Sequence, residues 1–172
     1  MTNIIFFKGY ERPQLVAKIK AFRLKIWSES IGLDNAISRF GDVVDEHDLR
    51  AWHLVKYDKK NIIACVAFNI AQGEGELADF SSYEDHSTRM RFPLAVVNRM
   101  VIDSQHTRKG IREEFYLLYI QKARELEILE LWGEVEKHRM KFNLRNNYVD
   151  VGVSSDKSIA GDWRILMKKL DV

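Results

Sequence analysis

Apolar positions along the chain alternate between two spacings. Ile4 to Phe7 form a short apolar run suited to a first strand. Pro13 then opens a helical segment, at a position where its missing N–H is harmless. Leu15, Ile19, Phe22 and Ile26 follow at spacings of four, three and four, which is one face of a helix. Asp34 is placed to cap a second helix over 35–40, ended by Gly41. "AWHLVKY" and "NIIACVAFNI" are strand-like runs joined by "DKK" and predict a hairpin. "LAVVNRMVI" is almost continuously apolar, as a central strand buried on both faces should be.

From Gly110 the period becomes helical, with Phe115, Tyr119, Ala123 and Leu126 on one stripe. "ILELWGEV" reads as another strand, "KHRMKFNLRN" as a short helix, and "NYVDVGV" and "DWRILMKKL" as two closing strands. The segment 71–93 is rich in Gly, Ser, Asp and Glu and reads as a long loop, with a short strand near 77–80. Loops of that length in compact domains are more often functional than idle. The predicted order is β-α-α-β-β-β-α-β-α-β-β, a mixed α/β sheet with a strand–loop–helix unit at its middle.

Composition narrows the classes. At 172 residues, 46% hydrophobic and 30% charged, the chain suits one soluble domain over 1–172. A net charge of +2 is too balanced for a nucleic-acid binder. The single Cys65 excludes an internal disulfide and a Cys-cluster metal site, and its apolar surroundings predict an inert buried thiol. Only four consecutive apolar residues precede Lys8, too few for a signal peptide, and no run approaches membrane-spanning length. The expectations are a cytoplasmic protein with neither membrane nor nucleic acid as partner, and no metal.

The chemistry concentrates where the central strand hands over to the long helix, in "VNRMVIDSQHTRKGIREEF". The first N–H groups of a helix lack intrahelical acceptors, and with the helix dipole they favour an anion. Gly110 permits close backbone approach, and Arg108, Lys109 and Arg112 add positive charge. A pyrophosphate would satisfy the arrangement. The same residues also suit a solvated basic loop in which Gly110 serves only the turn.

Taken with the order of elements, this turn resembles that of the GCN5-related N-acetyltransferase superfamily, whose fold is a mixed, mostly antiparallel twisted sheet flanked by helices. The resemblance covers nearly the whole chain in topology and is specific over 97–152. The family's turn, Gln/Arg-x-x-Gly-x-Gly/Ala, corresponds to Thr107, Arg108, Lys109, Gly110, Ile111 and Arg112. It implies that acetyl-coenzyme A, or another acyl-coenzyme A, is gripped at Arg108, Lys109, Gly110, Ile111, Arg112 and Glu113. Met100, Val101 and Ile102 would meet its pantetheine arm and thioester carbonyl. Thr107 and Arg112 depart from the family pattern. So does Asn143, which stands where the family commonly has the Tyr that protonates the departing thiolate; Asn147 aligns with a family glycine.

The activity implied is transfer of an acetyl group to the amino group of a small molecule or peptide. Glu134 and His53 are the candidate bases, each equally suited to a structural place on its strand. Arg99, a cation inside an apolar strand, needs an anionic partner: Asp45, Glu46 or Asp48, or a substrate carboxylate. "VNRMVID" and the acidic "DVVDEHD" are also similar to the acyl-homoserine-lactone synthases, which implies acyl carrier protein as the acyl donor. A third possibility is a relative that only binds an acyl cofactor or a partner protein. The acceptor would be met by the N-terminal helices and the 71–93 loop. A homo-oligomer is compatible with all three.

Overall fold

The structure, a computed structural model, describes residues 2–41, 44–77, 80–156 and 161–171. Its elements run β1 (Thr2–Lys8), α1 (Pro13–Ile31), α2 (Leu33–Phe40), α3 (Glu46–Arg50), β2 (Trp52–Asp58), β3 (Asn61–Ala71) and β4 (Leu94–Ile102). They continue with α4 (Ile111–Glu125), β5 (Glu130–Glu136), α5 (Lys141–Arg145), β6 (Val149–Val153) and β7 (Trp163–Lys169). The seven strands lie in the order β1-β2-β3-β4-β5-β7-β6. β4 and β5 run parallel, whereas β1–β2, β2–β3, β5–β7 and β6–β7 are antiparallel. This is the predicted order with one short helix, α3, added.

Local sequence explains most boundaries. Pro13 sits at the first position of α1, and Gly32, at φ +85°, ends it with its N–H on the Ser28 carbonyl at 2.9 Å. The same Gly32 stands at the cap position of α2, so Asp34 lies inside the first turn and is not the cap expected from sequence. Asp45 caps α3 by accepting from the Asp48 N–H at 2.7 Å. In the hairpin, Lys59 takes up φ +55° at the β2–β3 turn.

The chain forms two compact units, Met1–Phe68 with Arg99–Tyr119, and Asn69–Asn98 with Ile120–Val172. The first is built around Phe7, Val16, Ile19, Val55, Cys65 and Val101. Burying each such aliphatic or aromatic side chain is worth about 1.5–3 kcal/mol. Gly9 is fixed by close approach, because a Cβ there would lie 2.3 Å from the Asp48 carbonyl oxygen. Its N–H donates to the Ala51 carbonyl at 2.8 Å, which locks α3 against the end of β1.

The second unit packs Ala71, Leu77, Tyr83, Met90, Leu94, Val96, Trp132 and Ile165. Trp132 meets Tyr83 edge-on, and its indole N–H donates to the buried Glu130 carboxylate at 2.9 Å. The long segment before β4 is made of successive 3-10 turns, at Glu74–Glu76, Phe80–Ser82 and Glu84–Arg89. Of the short strand expected over 77–80, residues 78 and 79 lie outside the described residues, and Phe80 opens a 3-10 turn instead. His86 secures this segment, its Nε2 donating to the Val153 carbonyl at 2.8 Å. Among the described residues no helix is long and apolar enough to cross a membrane.

Candidate functional site

Parallel pairing of β4 with β5 comprises Leu94–Glu130, Ala95–Leu131 and Val96–Trp132. The rest of β4, from Val97 to Ile102, lies past that pairing and contains Arg99 at φ +55°. Such a conformation costs a non-glycine residue of order 1–3 kcal/mol and persists only where surrounding structure enforces it. Here the enforcement is ionic. Arg99 Nη2 lies 2.9 Å from Asp45 Oδ2, and its Nη1 lies 3.0 Å from Asp48 Oδ1. Asp48 Oδ1 also accepts from Arg23 Nη2 at 2.6 Å, and both of these side chains are essentially unexposed. Arg99 is therefore held by two of the three carboxylates proposed from sequence; Glu46 pairs with Arg50 on its own helix.

The turn after β4 organises itself. The Asp103 carboxylate accepts from the Gln105 N–H at 2.9 Å and lies 3.2 Å from His106 Nδ1, while the Thr107 hydroxyl donates to the Ser104 carbonyl at 3.1 Å. Thr107 thus braces the turn by a local bond. Gly110 follows at φ +69°, and apart from its two chain neighbours no residue places an atom within 4 Å of where its Cβ would stand. Arg112 does not fill that space. Its carbonyl accepting from the Glu114 N–H at 3.1 Å, Gly110 leads directly into α4, whose first residue Ile111 is buried. Arg108, Lys109 and Glu113 are exposed around it.

Met100, Val101, Ile102, Arg108, Lys109, Gly110, Ile111, Arg112 and Glu113 therefore belong to one continuous stretch of the first unit, with Arg99 at its head. Val101 points into the core and is 4% exposed, whereas Met100 and Ile102 are half-buried. His53 is in the same unit, fully buried on β2, with Nε2 donating to the Asp48 carbonyl at 2.7 Å. Glu134 and Asn143 belong to the second unit; Glu134 is half-buried on β5 opposite Ile165, and Asn143 is half-buried in α5. Asn147 has φ +62°, a left-handed conformation that asparagine tolerates.

Arg23 and Lys20 escaped the sequence reading. Both are buried on α1, at 1% and 4% exposure, although each looks like an ordinary solvated helix residue. The available signal was Arg23 standing four residues after Ile19, on the apolar stripe. Burial, then the neighbouring Arg23 charge, lowers the Lys20 pKa. Burial also lowers the His53 pKa, against the raising effect of its bond to the Asp48 carbonyl and with the help of the Arg23 charge. For Asp45, burial acts to raise the pKa, but the hydrogen bond and charge of Arg99 outweigh it and the net shift is downward.

These shifts set a pH dependence. The unfolded chain takes up the His53 proton more readily than the native one, so native stability falls as pH drops below 6.5. The Asp45 contribution is lost at lower pH, below about 3.8. We expect the urea midpoint to decrease between pH 7 and pH 5, and the decrease to shrink in His53→Gln. Equal pH slopes in the two proteins would remove His53 as the cause.

Comparison with solved structures identifies the architecture. An acyl-CoA N-acyltransferase from Pseudomonas aeruginosa superposes with a TM-score of 0.66 at 15% identity, covering 98% of this chain and 99% of that one. A CoA-dependent acyl-homoserine lactone synthase, BjaI, solved with SAM and isopentyl-CoA, gives 0.73 at 10% identity, covering 99% and 84%. FeeM, an N-acyl amino acid synthase from uncultured soil microbes, gives 0.67 at 11% identity, covering 98% and 91%. The chain has the GCN5-related N-acetyltransferase fold. No family model matches the sequence, and neither does any curated protein.

Proposed function

We propose that the chain is an acyltransferase that moves an acyl group from an acyl-coenzyme A thioester, acetyl-coenzyme A in the simplest case, to a primary amine. The observation that carries this reading is the open face of Gly110 at the start of α4, where no residue beyond its chain neighbours comes within 4 Å of the missing Cβ. Backbone N–H groups there would meet the diphosphate, with Arg108 and Lys109 beside them. The unpaired-with-β5 part of β4, through Met100, Val101 and Ile102, would align the pantetheine arm and polarise the thioester carbonyl through a backbone N–H. The amine nitrogen then attacks the acyl carbon, its proton passes to a base, the carbon–sulfur bond breaks, and the thiolate leaves with a proton from water. Glu134 and His53 stay as the candidate proton acceptors; the ring of His53 is sequestered by burial and by its bond to the Asp48 carbonyl.

A second reading, an autoinducer-synthase-like acyltransferase fed by acyl carrier protein, is favoured by Arg99. Its guanidinium is held by Asp45 and Asp48 and is 16% exposed, which joins the strand arginine to the upstream acidic residues that the sequence shares with those synthases. Calorimetric titration with acetyl-coenzyme A, followed by release of free coenzyme A across a panel of amines, tests the first reading. Saturable one-to-one binding with amine-dependent release is expected. Release from acyl carrier protein but not from acyl-coenzyme A would transfer the assignment to the second reading, and binding without release would leave a cofactor-binding protein. No binding at millimolar coenzyme A would end the proposal.

A further inference from the structure

We infer that Lys56 is a positioning residue for the diphosphate end of the acyl donor, acting through Glu114; the inference rests on the acyltransferase reading above. Lys56 stands on β2 and is 8% exposed, a burial that lysine rarely accepts without a partner. Its ammonium is ion-paired with the Glu114 carboxylate, which lies in the first turn of α4, the turn that follows Gly110. Phe68 on β3 stacks on Tyr119 of the same helix at 6.4 Å, so two contacts hold α4 to this side of the strands.

The first turn of α4 carries two acidic side chains, Glu113 and Glu114. Carboxylates there favour the helix dipole when no anion is bound, but they repel a diphosphate brought to the same amides. Glu113 is exposed and screened by solvent. Glu114 is only half-exposed, at 43%, and is drawn down onto Lys56. The buried ammonium therefore cancels the charge of one of the two carboxylates in that turn.

Charge cancellation separates this role from a purely structural one. Coenzyme A titrations by calorimetry at low and high ionic strength would compare the wild type with Lys56→Met, Lys56→Arg, Glu114→Gln and Lys56→Met/Glu114→Gln. Lys56→Met is expected to weaken binding about ten-fold at low salt, with the deficit shrinking as salt rises. Lys56→Arg should retain affinity. The double variant should recover it, because the repelling carboxylate has gone together with its counter-charge. Glu114→Gln alone should bind as tightly as wild type or tighter, and it decides the matter if Lys56→Met does not fold. Affinity that is unchanged in Lys56→Met, unrescued in the double variant, or weakened in Glu114→Gln would overturn the inference. A wild type that binds no coenzyme A sinks the acyltransferase reading and this one together, whereas a binding wild type with indifferent variants sinks this one alone.

Discussion

Asp48→Ala is expected to cost about 3–5 kcal/mol of folding stability, because it strips the shared partner from two cations in a place that water does not reach. Asp48 Oδ1 accepts from Arg23 at 2.6 Å and lies 3.0 Å from Arg99, and its side chain is 0% exposed. Its loss leaves Arg23, at 1% exposure, with a buried charge to neutralise. It also loosens the restraint that keeps Arg99 at φ +55°. Against a typical total of about 5–15 kcal/mol, that change alone brings a domain close to unfolding. Urea denaturation of the variant reads the cost directly. A loss under about 1 kcal/mol would mean that Asp48 is solvated in practice and that the cluster is not the anchor of β4. Replacing the buried pair as a unit, in Arg23→Met/Asp48→Leu, should recover part of the loss, since a well-packed apolar pair avoids the desolvation both charges suffer.

Gly110→Glu should raise the dissociation constant for acetyl-coenzyme A at least about a hundred-fold, through three additive causes. A carboxylate would stand where the diphosphate is expected, a side chain would fill the open face, and φ +69° is unfavourable for any residue with a Cβ. The last cause also costs about 1 kcal/mol of stability, so melting curves must accompany the titration. Gly110→Asn provides the control, because asparagine tolerates the left-handed conformation and brings no charge. It should fold normally and keep measurable affinity. Wild-type affinity in Gly110→Glu would place the acyl donor away from this turn.

Much of the architecture was legible because strong periodicity survives tertiary context. The α1 stripe, the β2–β3 hairpin, the apolar β4 and the α4 face of Phe115, Tyr119 and Ala123 appear where the spacing put them, while Leu126 lies one residue past the end of α4. What was not legible depended on partners distant in sequence. Asp34 looks like a helix cap, but Gly32 already turns the chain and begins α2 one residue later. The five-residue α3 is too short for any period to show, although its cap, Asp45, was in view as a possible ion partner. Arg23 and Lys20 pass for solvated residues until α3 brings Asp48 under the helix. At the candidate site, the turn and its glycine were readable from local chemistry. The pairing of Lys56 with Glu114, 58 residues apart, was not.

One further consequence comes from Cys65, the only cysteine in the chain. Complete burial pushes its thiol up to about 12, so almost no thiolate exists at neutral pH. A reagent that reports free thiols by disulfide exchange should therefore stay silent toward the native protein. Any colour that develops during turnover would come from coenzyme A, and the slow appearance of one extra equivalent per chain would time how often the molecule opens.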